Sequence, residues 1–471
     1  MGNTEKSHKL STSLWSDIKA SLSGTDKDFT KGSIGRALIV LSIPMVLEML
    51  MESVFAVFDI FFVSKLGADA IATVGITESL MTLIYAIAIG FAMATTAVVS
   101  RRFGEKNFDK ASVTAVQAIL VAIIASIPIA LLGGFFAPQL LSIMGAEGAI
   151  VTEFSSYTTI MFSTNFVIIL IFVINAVFRG AGDANVAMKT LILANAINII
   201  LDPLLIFGIW IFPELGIAGA AIATSIGRGI GVGYQFYKLF DGKTRINLLR
   251  RHLVAQWDII WNLVRVSLGG IGQFIIATSS WVGLVRIIAE FGSVSLAGYT
   301  IAIRILIFSI LPSWGMSNAA ATLVGQNLGA GQPERAEKST WISAFVNMVF
   351  LGIVGILFYT NAEFLIRIFT EDSAIIEIGA KGLRIMSYGY LAYAFGMVII
   401  QAFNGAGDTL TPTLINLVCF WMIEIPFAYF LAIHLGLAEE GVFYSIVVAE
   451  SLLGVIGFIL FKRGKWKTTK V

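Results

Sequence analysis

Three carboxylates share one face of the first apolar segment, which covers residues 35–63. At about 100° per residue, Glu52 lies about 40° round a helix from Glu48, and Asp59 lies about 20° round from it. The segment is long enough to cross a bilayer, for which about 20 apolar residues suffice. Because a charge at membrane depth costs at least about 2.5 kcal/mol unless it faces protein or water, the stripe predicts an aqueous or ion-handling interior.

The other polar features of this segment each have two interpretations. As cavity-lining anions, Glu48 and Glu52 would attract cationic substrates; as buried structure, each would pair with an arginine or with Ser/Thr hydroxyls. Pro44 lies about 22 Å from Asp59 along the helix, at about 1.5 Å per residue. A proline inside a helix frees a carbonyl and permits a kink, so Pro44 is either a hinge or a static bend.

A second set of polar groups lies at the expected depth of Asp59. Asn198 and Asp202 are four residues apart and hence on one helix face, and Thr224 lies about two turns from the outer end of its segment. Two carboxylates, an amide and a hydroxyl predict a site for a proton or Na⁺, since hard cations take oxygen ligands. Asp59, Asn198 and Asp202 would be metal ligands only if Na⁺ is the coupling ion. The alternative is that Asp202 caps a helix end near the interface.

The elements that position these residues are predicted to be membrane helices. Of 471 residues, 57% are hydrophobic and 13% charged, whereas soluble domains are about 25% charged. We therefore expect an all-α polytopic membrane protein. Its twelve apolar segments lie near residues 35–63, 70–100, 111–136, 154–178, 187–210, 217–238, 259–289, 295–327, 337–359, 379–403, 411–435 and 441–461.

The basic residues of the connections indicate the orientation of the chain. Lysines and arginines concentrate in the loops 101–110 and 238–251 and in the C-terminal tail, whereas the alternate loops hold mostly acids. By the positive-inside rule both termini are cytoplasmic, which agrees with an even number of spans. We expect a multi-pass protein of the plasma (inner) membrane.

An internal repeat divides the chain into halves. The segment GAGD at 180–183 recurs at 405–408, and four other landmarks recur at this same spacing, which we call the repeat offset. The repeat predicts two parallel six-helix lobes related by a pseudo-two-fold axis along the membrane normal, with substrate handled between them. The expected organisation is a cytoplasmic N-terminal tail (1–33), an N-lobe (34–238), a cytoplasmic linker (239–258), a C-lobe (259–462) and a basic cytoplasmic tail (463–471).

This combination resembles the multidrug and toxic compound extrusion (MATE) family of bacterial and archaeal type. The resemblance rests on Asp59 before the segment VSKLG at 63–67, on RGAGD at 179–183, on NGAGD at 404–408 and on the two-lobe repeat. It implies cation-driven export of organic compounds by alternating access. In agreement, the sequence has no GxxxxGK[ST] segment that would cradle phosphates.

The resemblance also implies roles for individual residues. In such transporters an Asp on the first helix and an Asn-x-x-x-Asp on the fifth form the cation site of the N-lobe, and Asp59, Asn198 and Asp202 match that pattern, with Thr224 beside them. The first helix is implied to bend at Pro44 when the acid changes its protonation.

The second half departs from the first in its polar residues. By the repeat offset, Gln273 takes the place of Glu48 and Leu284 that of Asp59. Some MATE members carry a Glu on the seventh helix near the position of Gln273. In this chain we expect Gln273 to line the cavity. Glu424 is expected to be a further cavity residue or the buried partner of an arginine. The two GAGD segments are expected to be tight turns whose Asp caps the next helix.

We expect a secondary antiporter, not an enzyme, that exports amphipathic, cationic organic compounds in exchange for H⁺ or Na⁺ without a cofactor. The sequence contains no nucleophile–base or metal-ligand constellation for an intramembrane enzyme. The alternative is a lipid-linked oligosaccharide flippase of the related superfamily, which should present a basic cavity. The expected partners are small amphipathic molecules and the lipid bilayer, not nucleic acid, and the chain is expected to act as a monomer.

Overall fold

Helices occupy all twelve predicted membrane positions in the computed structural model, which describes residues 15–24 and 28–471. The first half contains α1 (Ile34–Val63), α2 (Ala68–Gly104), α3 (Phe108–Phe135), α4 (Ala149–Ala181), α5 (Ala184–Ile206) and α6 (Gly216–Phe240). The second half contains α7 (Trp257–Ala289), α8 (Ser293–Gly329), α9 (Pro333–Thr360), α10 (Ser373–Tyr388 with Tyr390–Ala406), α11 (Leu410–His434) and α12 (Ala438–Lys462). The described residues contain no β-strand, which confirms the all-α class.

Ten of these helices are long and apolar enough to cross a membrane. The two parts of α10 pass the same test together and meet at a bend of 58°, which adds an eleventh span. The remaining helix, α6, is long enough to cross a membrane but is rich in glycine and carries Arg228 in its middle. Its lower hydropathy therefore comes from residues that face protein rather than lipid, since Arg228 is buried.

The two halves meet through equivalent helices. α1 packs against α8 of the other half, and α7, its counterpart, packs against α2. Glycines permit both close crossings: a Cβ at Gly90 would lie 2.7 Å from the Ile271 nitrogen, and one at Gly315 would lie 2.7 Å from the Met45 carbonyl oxygen. Gly90 and Gly315 differ by the repeat offset, so the sequence repeat is also a repeat in the packing.

The halves are sealed against each other on the side where the chain ends. Gln326 donates a hydrogen bond to the Gly180 carbonyl at 2.9 Å, and Arg101 donates to the Thr469 carbonyl at 2.8 Å. A Cβ at Gly104 would overlap the backbone of α8, and one at Gly329 would overlap the backbone of α2. The cavity between the halves therefore lies beyond this seal, toward the opposite side.

The two GAGD segments form the expected turns but differ in their acids. Gly182 and Gly407 end their helices with φ of 90° and 85°, a conformation that suits glycine. Asp408 accepts hydrogen bonds from Thr411, as a helix-start acid should. The expected cap by Asp183 is wrong, because its carboxylate accepts from the Arg245 backbone nitrogen at 2.7 Å and leaves the start of α5 without a side-chain cap.

A short helix over 15–23 precedes α1 within the predicted N-terminal tail. Asp17 pairs with Arg36 at 3.4 Å and so ties this helix to the start of α1. Residues 1–14 and 25–27, which belong to the same predicted tail, lie outside the described residues.

Candidate functional site

The four residues predicted for the cation site come together inside the first half. Asn198 and Asp202 follow one another by a turn on α5, and Thr224 faces them from α6. The Asn198 amide donates to an Asp202 oxygen at 3.2 Å and is 3.3 Å from the Thr224 hydroxyl oxygen. Asp202 is fully buried, so it does not act as an exposed helix cap.

Asp59 joins this cluster from α1. Its carboxylate is buried, and α1 packs against α5, the helix that carries Asn198 and Asp202. One oxygen each of Asp59, Asn198 and Asp202 is buried without a hydrogen-bond partner in the described chain. Leaving such atoms unpaired costs about 1–3 kcal/mol each. Three unpaired oxygens on neighbouring side chains are a donor set that fits a bound H⁺ or Na⁺.

Two charged residues that we did not predict act on Asp59. The Glu78 carboxylate on α2 disfavours a negative charge on Asp59, whereas the buried Arg228 guanidinium on α6 favours it. Thr77, next to Glu78, shares a hydrogen bond of 2.8 Å with Thr158, which holds α2 against α4. Glu78 could have been found from the sequence, because it is a charged residue within the apolar stretch of α2.

Glu48 is an internal ion-pair partner and not a free anion on the cavity wall. It is 1% exposed and accepts from Arg179 at 2.7 Å and from Asn175 at 3.0 Å. The structure therefore supports the arginine-paired interpretation of this residue, since the folding of α4 against α1 brings a cation to it. Glu52 pairs with Arg228 at 3.3 Å but also lines the space between the halves.

Pro44 lies within the continuous helix α1 and is buried. The next residue, Met45, is where Gly315 of α8 approaches the α1 backbone. A bend at Pro44 would thus change the contact between the two halves, while its role as a hinge stays a prediction.

A cavity of about 450 Å³ lies between the halves, and its walls are mostly aromatic and aliphatic. Its walls include Phe274, Trp281, Trp314, Tyr393 and Phe420. Glu450 is the one acidic or basic side chain among the lining residues of the described chain. Gln273 lines the same cavity, as predicted, and its amide donates to Asn404 and to the Thr409 carbonyl, both at 3.0 Å.

A second compartment of about 210 Å³ adjoins this cavity toward the first half. The two share Met93, Trp314 and Asn404, so they form one space, which we call the central cavity. Glu52 and Arg179 line the second compartment, and each is paired with an opposite charge. The central cavity therefore has no excess of positive charge among its described lining residues.

Glu424 lines a narrow cavity that continues from the central cavity. It is 2% exposed and lies there with Tyr299 and Tyr390, while Trp281 and Glu450 line both spaces. One of its oxygens has no hydrogen-bond partner, and none of the ion pairs in the described chain joins it to an arginine. The alternative in which an arginine neutralises Glu424 is therefore wrong, because no arginine of the described residues pairs with this part of α11.

The chain is similar to one known family over both of its halves. The sequence profile of the MatE family matches residues 44–204 and 271–430. The chain belongs to the MatE family. The two matched stretches cover equivalent parts of the two halves, as the repeat predicts. The first stretch contains Asp59, Asn198 and Asp202.

Individual MatE-type relatives are similar over nearly the whole chain. The "Probable multidrug resistance protein NorM" of Thermotoga maritima is 28% identical over 93% of this chain and 94% of its own length. A "FAD transporter" of Shewanella oneidensis is 26% identical over 91% of this chain and 95% of its own length. The solved "Outward-facing conformation of a multidrug resistance MATE family transporter of the MOP superfamily" superposes with a TM-score of 0.87 at 25% identity, over 94% of this chain and 98% of that one.

Proposed function

We propose that this MatE-family chain is a secondary antiporter that exports amphipathic, cationic organic compounds in exchange for H⁺ or Na⁺. The coupling ion binds among Asp59, Asn198, Asp202 and Thr224. The observation that carries this proposal is the group of three buried, unpartnered oxygens on Asp59, Asn198 and Asp202. A cation at this point satisfies those oxygens and offsets the interacting carboxylate charges.

The position of Asp59 supports coupling between the ion and the transport movement. α1 carries Asp59 near one end and packs on α8 of the other half near Pro44. Loss or gain of charge at Asp59 changes the contacts of α1 with α5, and hence the packing of α1 on α8. One charge that crosses the membrane supplies about 2.3 kcal/mol per 100 mV, which drives such a rearrangement in one direction.

The chemistry of the central cavity supports an apolar or cationic substrate. Aromatic faces attract quaternary and protonated amines, and Glu450 adds one carboxyl group to a compartment that is otherwise without acidic or basic side chains among its described lining residues. An anionic substrate such as FAD, or the pyrophosphate lipid of the flippase alternative, requires clustered Arg or Lys. The arginine at this cavity, Arg179, is already neutralised by Glu48. We further propose that the chain works as a monomer, without cofactor or catalysis, in the inner membrane with both termini cytoplasmic.

The test is efflux of a fluorescent organic cation from vesicles in which a pH gradient and a Na⁺ gradient are imposed separately. Asp59→Asn should abolish gradient-driven export through either ion, while binding of the dye by the purified protein remains. Asp69→Asn is the matched control, because Asp69 is an exposed carboxylate at the start of α2 and should export at the wild-type rate. Wild-type export by Asp59→Asn under a gradient that drives export by the wild type would contradict the assignment of the coupling site.

A further inference from the structure

A concave pocket lies where α5 begins and α6 ends, apart from the central cavity. Its volume is about 370 Å³. The first turns of α5, the last turns of α6, the linker that follows and the end of the 15–23 helix form its walls. Four cations, Lys189, Lys238, Lys243 and Arg245, and one acid, Asp183, line it. We call it the basic pocket.

Three polar side chains of the basic pocket have no partner among residues 15–24 and 28–471. Lys189 and Lys243 are exposed and take part in no ion pair there. The Asn185 amide lines the pocket with 9% of its surface exposed and makes no hydrogen bond. The amide nitrogen and oxygen are open to the pocket, so they can donate to and accept from a ligand that enters it.

The start of α5 adds backbone donors to the same pocket. α5 begins at Ala184, and Asp183 before it makes no side-chain cap. The first N–H groups of a helix have no partner within the helix, and its dipole favours an anion at this end. The donors of α5, the Asn185 amide and the free lysines therefore converge on one space.

The charge balance of the basic pocket favours an anion. Lys238 is paired with Asp241 at 2.7 Å, and the Asp183 carboxylate accepts from the Arg245 backbone. Lys189 and Lys243 therefore remain as two positive charges that no ion pair of the described residues neutralises. Oxygen anions with several acceptor atoms, above all phosphate, suit such a set of donors and cations.

We propose that the basic pocket binds a phosphate group, either that of an anionic phospholipid or a soluble phosphate. Lys189 is the sixth residue of α5 and thus about 7.5 Å from its start, a distance close to the thickness of one headgroup layer, about 5–8 Å. Basic pockets between membrane helices hold anionic headgroups on the cytoplasmic side, where the positive-inside rule places this end of α5. Trp15, 72% exposed on the adjoining 15–23 helix, is typical of the membrane interface. The proposal does not depend on the transport function.

The experiment measures thermal stabilisation of the purified full chain in a neutral detergent. The probes are a short-chain phosphatidylglycerol, the matching phosphatidylcholine and inorganic phosphate, each titrated at constant ionic strength. The pocket variant is Lys189→Gln with Lys243→Gln. The control variant is Lys106→Gln with Lys110→Gln, which removes the same charge from exposed residues in the basic loop 101–110, outside the pocket.

We expect phosphatidylglycerol to stabilise the wild type and the control variant, with an affinity roughly 10–30-fold lower in the pocket variant. Stabilisation by phosphatidylglycerol alone assigns the pocket to a lipid, and stabilisation by inorganic phosphate as well assigns it to a soluble phosphate. Asn185→Asp should abolish either effect, since it places a carboxylate where the ligand lies. An equal loss in the pocket and control variants, or no stabilisation by either phosphate probe, would overturn the proposal.

Discussion

Removing the charge of Glu48 should destabilise the fold rather than weaken substrate binding. In Glu48→Gln the guanidinium of Arg179 stays within the protein, 7% exposed, without the carboxylate that it contacts at 2.7 Å. The Asn175 amide keeps an oxygen acceptor, because glutamine retains one. Glu48→Gln therefore tests the loss of the buried carboxylate charge by itself.

The magnitude follows from the geometry of this pair. Both side chains are more than nine-tenths buried, and breaking a buried ion pair by removing one partner costs about 3–5 kcal/mol. Replacing both residues, as in Glu48→Met with Arg179→Met, should cost much less, because no buried charge is left without its partner. The comparison distinguishes the cost of an unpaired charge from the cost of lost packing.

The assay is the free energy of unfolding of the purified chain in mixed micelles, titrated with SDS and followed by circular dichroism. Glu363→Gln is the control, since Glu363 contacts Arg384 at 3.0 Å on an exposed surface, where an ion pair contributes about 0–1 kcal/mol. Binding of a fluorescent cation is measured on the same samples. If Glu48→Gln unfolds like the wild type but binds the cation several-fold more weakly, Glu48 is a cavity anion and our reasoning is refuted.

Two further predictions concern the coupling site and the seal between the halves. Asp202→Asn should reduce export per folded transporter as severely as Asp59→Asn, whereas Glu424→Gln should be milder because Glu424 lies outside the proposed cation site. The measurement is efflux normalised to membrane expression, and the opposite order would move the coupling site to the second half. Gly104→Leu should separate α2 from α8, because a side chain at this position overlaps the α8 backbone. In a chain without Cys419, a cysteine placed at Ser100 should then react with maleimide. Gly75→Leu, where a Cβ meets nothing within 4 Å, is the control, and equal labelling of both variants would show that the seal does not depend on Gly104.

The local properties of the chain could be predicted from the sequence. A membrane helix is defined by a run of about 20 apolar residues, so the positions of the apolar helices could be read from the chain. Helices occupy all twelve positions, and all but α6 are apolar enough to cross a membrane when the two parts of α10 are counted as one span. The constant repeat offset predicted two equivalent halves, because similar sequences fold into similar helices. The relation between Asn198 and Asp202 also followed from helical periodicity, since residues four apart share a face.

Contacts between distant segments were decided by the tertiary structure. Glu48 and Arg179 are 131 residues apart, and nothing in the period of either helix specifies that they meet. The same holds for the approach of Gly104 to α8. Helical periodicity determines which side chains share a face, but only the packing of helices determines whether a buried carboxylate faces an arginine, another carboxylate or a cavity. That is why the sequence predicted one acidic stripe on α1 and the fold divided it into an ion pair at Glu48, a cavity-edge pair at Glu52 and, at Asp59, a buried carboxylate without an ion-pair partner among the described residues.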